Sequence, residues 1–263
     1  MDAIAVAQFA PGSDRQANLA VMRELATTAV DRGAGLVVFP EYSSYFTPAM
    51  GDDWIAAAEE LDGPFAAGVA SIAADLGVTI VAGMLERSGS KASNTVIAIA
   101  ADGTRLATYR KLHLYDAFGA LESDFIEPGP HGEFETFAWG GFTVGIQTCY
   151  DIRFPEVTRA LVDAGVDLVL VPAEWVRGPL KEHHWRTLLT ARAIENTVYV
   201  AAADHAPPIG AGNSMVLDPM GVELVTIGDS QGLAIAWPDP DRLAEVRDSN
   251  PSLRLRRFSV APV

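Results

Sequence analysis

Gly145-Ile146-Gln147-Thr148-Cys149-Tyr150-Asp151-Ile152-Arg153-Phe154-Pro155-Glu156 passes from an apolar run into a helix start. Phe142–Gln147 reads as a strand, Glu156–Asp163 as a helix and Leu168–Pro172 as a second strand. The chain's single cysteine falls at the bend between strand and helix. The same rhythm extends outward. Upstream, Ile4–Phe9 reads as a strand. Asn18–Asp31 reads as a helix with Leu19, Met22, Leu25, Ala26 and Ala29 on one face, stopped by Gly33. Leu36–Phe39 is a buried strand, Pro64–Leu76 a helix closed by Gly77, and Thr79–Met84 a strand. Thr95–Ala100, the turn Ala101-Asp102-Gly103 and Arg105–Arg110 form a hairpin pattern. Lys111 to Pro130 has no period and reads as a long loop of the kind that is usually functional or disordered. Downstream come the helix Lys181–Asn196 and the strands Val198–Ala203, Ser214–Leu217 and Leu233–Trp237. This alternation, broken by a hairpin, predicts an α/β fold of mixed sheets covered by helices. No Gly-, Ser- or Pro-rich linker divides it. The expectation is one domain over residues 1–263, with 251–263 as an arm, carrying Arg254, Arg256 and Arg257, that reaches another subunit.

Composition narrows the function classes. The 263 residues are 49% hydrophobic and 20% charged, ordinary for a chain that buries a core. A net charge of −15 opposes binding to phosphate backbones and anionic lipid, so neither nucleic acid nor membrane is an expected partner. One cysteine permits no intrachain disulfide and no thiol-rich metal site. The expected compartment is the reducing cytoplasm. Met1–Phe9 lacks a basic leader pattern, and no apolar run approaches the roughly 20 residues a membrane helix needs.

Three segments carry chemistry, each at the end of an expected strand. They are Val38-Phe39-Pro40-Glu41-Tyr42, Tyr109-Arg110-Lys111-Leu112-His113-Leu114, and the stretch around Cys149. Sites in open α/β folds gather at such carboxyl ends. A thiol needs a base or a positive environment before it attacks. A helix start offers backbone N–H groups and a positive dipole end. A carboxylate can take the proton and an ammonium can hold the oxyanion, so Glu, Lys and Cys suffice for acyl transfer. Taken singly, each residue has a plainer reading: Cys149 as a small core hydrophobe, Glu41 as a cap, Lys111 as a surface lysine.

Taken together, and in this order, the segments resemble the nitrilase superfamily of carbon–nitrogen hydrolases. The resemblance runs from Ala5-Val6-Ala7-Gln8 to Asn213-Ser214-Met215-Val216-Leu217-Asp218-Pro219-Met220-Gly221. It implies Cys149 as nucleophile, Glu41 as general base, and Lys111 with the Tyr150 N–H as oxyanion holders. Glu122, in Ala120-Leu121-Glu122-Ser123, matches a second glutamate that positions substrate and Lys111. The implied fold is a four-layer αββα sandwich, dimerised across helices flanking the cysteine elbow, with no cofactor.

The remaining motifs read more plainly. His113 is expected to be structural. His183-His184 on a helix point about 100° apart, a poor chelating pair, so no metal is expected. Gly210-Ala211-Gly212 is too sparse for a phosphate loop and reads as a turn. Within the resemblance, amide hydrolysis competes with nitrile hydrolysis, N-carbamoyl hydrolysis and a catalytically idle binding role. The run from Glu174 to Trp185 looks like the branch that acts on ω-amides of 2-oxo acids or on deaminated glutathione. Trp175 and Arg177 are the expected substrate contacts there. Arg177, Lys181, His183, His184 and Arg186 form a local positive lip, and Arg177 is the expected partner of a substrate carboxylate, against the alternative of ion pairs with Glu174, Glu182 and Glu195.

Overall fold

The structure, a computed structural model, describes residues 2–132 and 134–261. Met1, Glu133, Pro262 and Val263, the last two belonging to the expected arm, lie outside the described residues.

Side-chain alternation along the strands decides the layers. In β1 (Ala3–Gln8), Ala5 and Ala7 face helices α1 (Arg15–Asp31) and α3 (Pro64–Leu76), while Ile4 and Val6 face the second sheet. In β9 (Leu168–Ala173), Leu168 and Leu170 join that same inter-sheet core. Val169 and Val171 instead pack under α4 (Pro155–Asp163) and α5 (Lys181–Asn196). Strands buried on both faces read as continuous apolar runs, which is why these were visible in the sequence. The result is helices, sheet, sheet, helices: the four-layer αββα sandwich.

In the first sheet, β1, β2 (Ala34–Val38) and β3 (Thr79–Ser88) run parallel. β4 (Lys91–Ile99) and β5 (Arg105–Arg110) extend it as an antiparallel meander. β6 (Ile126–Glu127) adds to β4, inside what the sequence predicted as an irregular loop. In the second sheet, β7 (Phe137–Trp139) precedes β8 (Phe142–Ile146), which with β9 and β10 (Tyr199–Asp204) forms a parallel trio. The edge on that side is β11 (Met215–Leu217) and β12 (Glu223–Thr226). β13 (Gly232–Ala236) returns to pair with β1.

The departures from the sequence reading have local causes. α2 (Asp52–Ala57) is too short to show a period, and α6 (Pro240–Ser249) buries only Leu243 and Val246. β12 is mostly exposed, so it carries no apolar signal. β3 and β4 run past their expected ends because Glu86, Ser93 and Asn94 are buried polar residues that interrupt the apolar pattern. Arg110 satisfies Glu86 with a two-pronged ion pair at 2.6 and 2.7 Å, so that carboxylate can sit in a strand. No helix of the described residues is long and apolar enough to cross a membrane.

Candidate active site

Four strand ends converge. β2 delivers Glu41, β5 delivers Lys111, β8 delivers Cys149 and β9 delivers Glu174. The turn after β2 is clamped from two sides. A Cβ on Gly83 would lie 2.7 Å from Glu41 Cα, so only glycine admits this approach. On the other side, His205 Nε2–H donates to the Glu41 carbonyl at 2.7 Å. Burial pushes the His205 imidazole down to about 4, so it stays neutral and keeps this bond.

Lys111 is buried, and its ammonium donates to Glu41 Oε1 at 2.9 Å and to Glu122 Oε2 at 2.9 Å. Burial alone would lower its pKa; the two carboxylates outweigh that and hold it well above the usual lysine range. The carboxylates divide their roles. Burial pulls Glu122 upward, but Lys111, the Tyr42 hydroxyl, the Tyr115 N–H and Asn94 together hold it below the ordinary carboxylate value. Glu41 goes the other way: burial, helped by the Glu122 charge, raises it despite Lys111 and a 2.6 Å bond from Asn94. One carboxylate is thus fixed as the ammonium's counter-ion, and the other is poised to accept a proton.

The thiol sits on a strained elbow. Cys149 has φ 45°, in the left-handed region that a residue other than glycine occupies at a cost of about 1–3 kcal/mol. It opens a 3-10 helix, Cys149–Arg153, that leads into α4. Asp151 locks this elbow to the lysine loop: its carboxylate accepts from the Thr148 N–H, the Tyr109 hydroxyl and the His113 N–H. His113 stacks on Phe154 at 3.7 Å with its Nδ1 2.9 Å from Asp151, a scaffolding position. The Tyr150 N–H lies in the first helical turn, where backbone donors lack an intrahelical acceptor. Burial first, then the carboxyls of Glu41, Glu174 and Asp204, push the thiol well above its usual range, and Lys111 only partly opposes them. The resting group is therefore a thiol that requires a base.

Residue 174 joins base and nucleophile. Its N–H donates to Glu41 Oε2 at 2.6 Å, and its carbonyl accepts the Cys149 S–H at 3.4 Å. Around them is a small cleft lined by Tyr115, Tyr150, Arg153, Trp175, Val176 and Lys181. Trp175 is buried, with its indole N–H on the Lys181 carbonyl at 2.8 Å and its backbone N–H on Asp204 at 2.6 Å. Lys181 reaches in from the start of α5. Its ammonium donates to the Tyr115 hydroxyl at 2.7 Å and lies 4.1 Å from the Phe118 ring centre. The Arg153 guanidinium lies 4.7 Å above Trp175. Among the described residues neither cation has an acidic partner, and Arg153 Nε is buried without any partner.

Of the expected site residues, the structure brings Glu41, Lys111, Glu122, Cys149, Tyr150 and Trp175 together. It places Arg177 outside the cleft, 45% exposed, with its guanidinium 3.4 Å from Glu182. Arg186 pairs with Glu223, so Lys181 is the lip's one lysine or arginine without an acidic partner among the described residues. Asn94, Arg153, Glu174 and His205 were not singled out by sequence reasoning as site residues, and Lys181 was named only as one cation of the lip, behind Arg177. The polar run Ser93-Asn94-Thr95 at the edge of an expected strand is the signal that could have pointed to Asn94. The His183 and His184 rings are 6.2 Å apart, and no cluster of three or more metal-ligating side chains occurs among the described residues.

This geometry agrees with the comparisons. Residues 3–248 match the carbon–nitrogen hydrolase family. The chain belongs to that family. It is 39% identical to Hydrolase Rv0480c of Mycobacterium tuberculosis over 95% of this chain and 94% of the relative. It is 36% identical to a deaminated glutathione amidase of Escherichia coli O157:H7, over 97% of both chains. Among solved structures, a Nesterenkonia AN1 amidase from the nitrilase superfamily superposes with a TM-score of 0.78 at 29% identity, covering 97% of each chain. The carbon–nitrogen hydrolase fold, its strand-end site and its family thus coincide in one chain.

Proposed function

We propose that this carbon–nitrogen hydrolase converts the primary amide of a small, carboxylate-bearing acid, an ω-amide, into the free acid and ammonia through a thioester on Cys149. One observation carries the reading: the backbone of residue 174 holds the base Glu41 and the thiol Cys149 side by side. Glu41 takes the thiol proton as Sγ attacks the carbonyl carbon. The C–S bond forms, and the carbonyl electrons move to oxygen. Lys111 and the Tyr150 N–H hold that oxyanion, which exists only after attack and so lowers the barrier selectively. The intermediate collapses, the C–N bond breaks, and Glu41 returns the proton to nitrogen as ammonia leaves. Water then gives a proton to Glu41 and attacks the thioester. The C–S bond breaks, the thiol is restored and the acid is released. Glu122 keeps Lys111 in place throughout.

Lys181 and Arg153 support the carboxylate on the substrate, because two cations without acidic partners in a small cleft favour an incoming anion. The E. coli relative named for deaminated glutathione fits an acidic acyl chain. The test is ammonia release from ω-amides of dicarboxylic acids, from propionamide and from the matching nitriles. The expected result is kcat/KM about 10- to 100-fold higher for the acidic amides, the range of a charge-assisted contact. Equal rates on propionamide would contradict it, and faster nitrile turnover would favour the nitrilase alternative.

The assembly is proposed to be a homodimer with α4 and α5 near the two-fold axis and the arm reaching across. Leu255 and Phe258 in the arm, and Ile194 on α5, leave apolar surface exposed. A stable monomer in light scattering at micromolar concentration would refute the dimer. A working free thiol suits a reducing, cytoplasmic setting.

A further inference from the structure

Glu174 contributes more than its backbone. Glu174 lines the same cleft as Cys149, and its Oε1 is buried with no hydrogen-bond partner among the described residues. Arg153 and Lys181 stand in that cleft, yet no ion pair joins either to Glu174 among the described residues. Leaving a buried oxygen unpaired is costly and uncommon, so such a group calls for a specific explanation. A donor supplied by the substrate is one.

The position of Glu174 says which donor. When the substrate carbon reaches Sγ and its oxygen points to Lys111 and the Tyr150 N–H, the planar amide carries its nitrogen on the opposite side of that carbon. That nitrogen must reach Glu41 to collect its proton. Glu41 Oε2 is 2.6 Å from the N–H of residue 174, so the nitrogen arrives beside this residue. A primary amide has two N–H groups, so one remains for an acceptor other than Glu41. We propose that the Glu174 carboxyl contacts the substrate by accepting an N–H of the scissile carboxamide, and so selects primary amides over esters and N-alkyl amides of the same acid. Burial first, then Glu41, hold the Glu174 acid well above the usual carboxylate range. An uncharged carboxyl still accepts through its carbonyl oxygen without adding negative charge beside the oxyanion. A methyl ester presents no N–H, and an N-methyl amide places a methyl group in a buried space.

The inference rests on Cys149 as nucleophile, and the experiment separates the two. Steady-state kcat/KM is measured for the primary amide, the N-methyl amide and the methyl ester of one acid, with wild type, Glu174→Ala, Glu174→Gln and Cys149→Ala. Glu174→Ala is expected to lower the primary-amide value by about 10- to 100-fold, the range for losing one buried hydrogen bond to substrate, and to leave the ester within about threefold. Glu174→Gln keeps an acceptor and is expected to retain most of the amide preference. Glu174→Met, similar in size but without the acceptor, repeats the measurement if Glu174→Ala does not fold. Equal losses on amide and ester, with Cys149→Ala inactive, would overturn the Glu174 contact alone. Turnover surviving in Cys149→Ala would overturn the nucleophile and the contact together.

Discussion

The Glu41–Lys111–Glu122 cluster and the Arg153–Lys181–Glu174 wall flank the same thiol, and they differ in how their charges are met. In the first, an ammonium is held between two carboxyls with every bond supplied by the protein. In the second, among the described residues, two cations lack acidic partners and one carboxyl oxygen lacks any partner. A satisfied cluster is preorganised: it holds its geometry before substrate arrives and performs the same proton transfers on any acyl group. An unsatisfied wall is completed by the ligand, so it discriminates among substrates, by acyl charge at Arg153 and Lys181 and by leaving group at Glu174. Chemistry and selectivity are thus carried by different sheets' strand ends, the first by β2 and β5, the second by β8, β9 and the start of α5.

Substitutions should separate the two regions by size and by kind of effect. The largest loss is expected at the thiol between them. Cys149→Ala should lower kcat by about 10⁴-fold or more on every substrate, the scale for deleting a nucleophile, with the melting temperature preserved. Residual activity within tenfold of wild type would break the mechanism. Next comes Lys111→Met, expected to cost about 10²–10³-fold in kcat with a smaller change in KM, because the oxyanion exists only in the transition state. An unchanged kcat would make Lys111 structural and erase the distinction drawn here. Its loss should be equal for acidic and neutral amides. Lys181→Met should behave oppositely, raising KM for an acidic ω-amide by about tenfold while propionamide is nearly unaffected. Arg177→Ala is the control on the same lip. Paired with Glu182 on the surface, it should change KM by less than about twofold on either substrate. A larger effect at Arg177 than at Lys181 would relocate the carboxylate site.

How far these regions could be read from sequence follows from the same difference. Glu41 and Cys149 stood at the ends of apolar strand runs, Lys111 at the end of a hairpin pattern, and Glu122 lay in an aperiodic loop that resemblance picked out. Lys181 and Arg177 lay in one basic segment, and spacing alone does not say which turns inward. Leu180, at φ 62°, starts α5 from a left-handed residue and turns Lys181 into the cleft. Glu174 looked like one more residue of that segment, because an unpartnered oxygen is a property of three-dimensional packing. In the fold, β9 and α5 were legible from apolar runs and periodicity. α6 was not, since two buried residues in a polar stretch leave no pattern.

An effect on stability, not on turnover, is expected from the support beneath Glu41. His205 sits at about 4 in the folded protein, below its ordinary value of 6.5. A depressed value means the unfolded chain takes up the proton first as pH falls. The stability that neutral His205 contributes is present above 6.5 and is lost between 6.5 and about 4, up to about 3 kcal/mol. Denaturant unfolding of wild type against His205→Gln over that window measures it. Parallel pH curves would show that His205 is not held neutral.

The most direct test of the account is intact-mass spectrometry of the enzyme quenched in acid during turnover of an acidic ω-amide. The expected result is a population heavier than the free enzyme by the acyl group, mapped to Cys149 and discharged by hydroxylamine. Rapid ammonia release with no acylated Cys149 at any time point, together with turnover by Cys149→Ala, would contradict it.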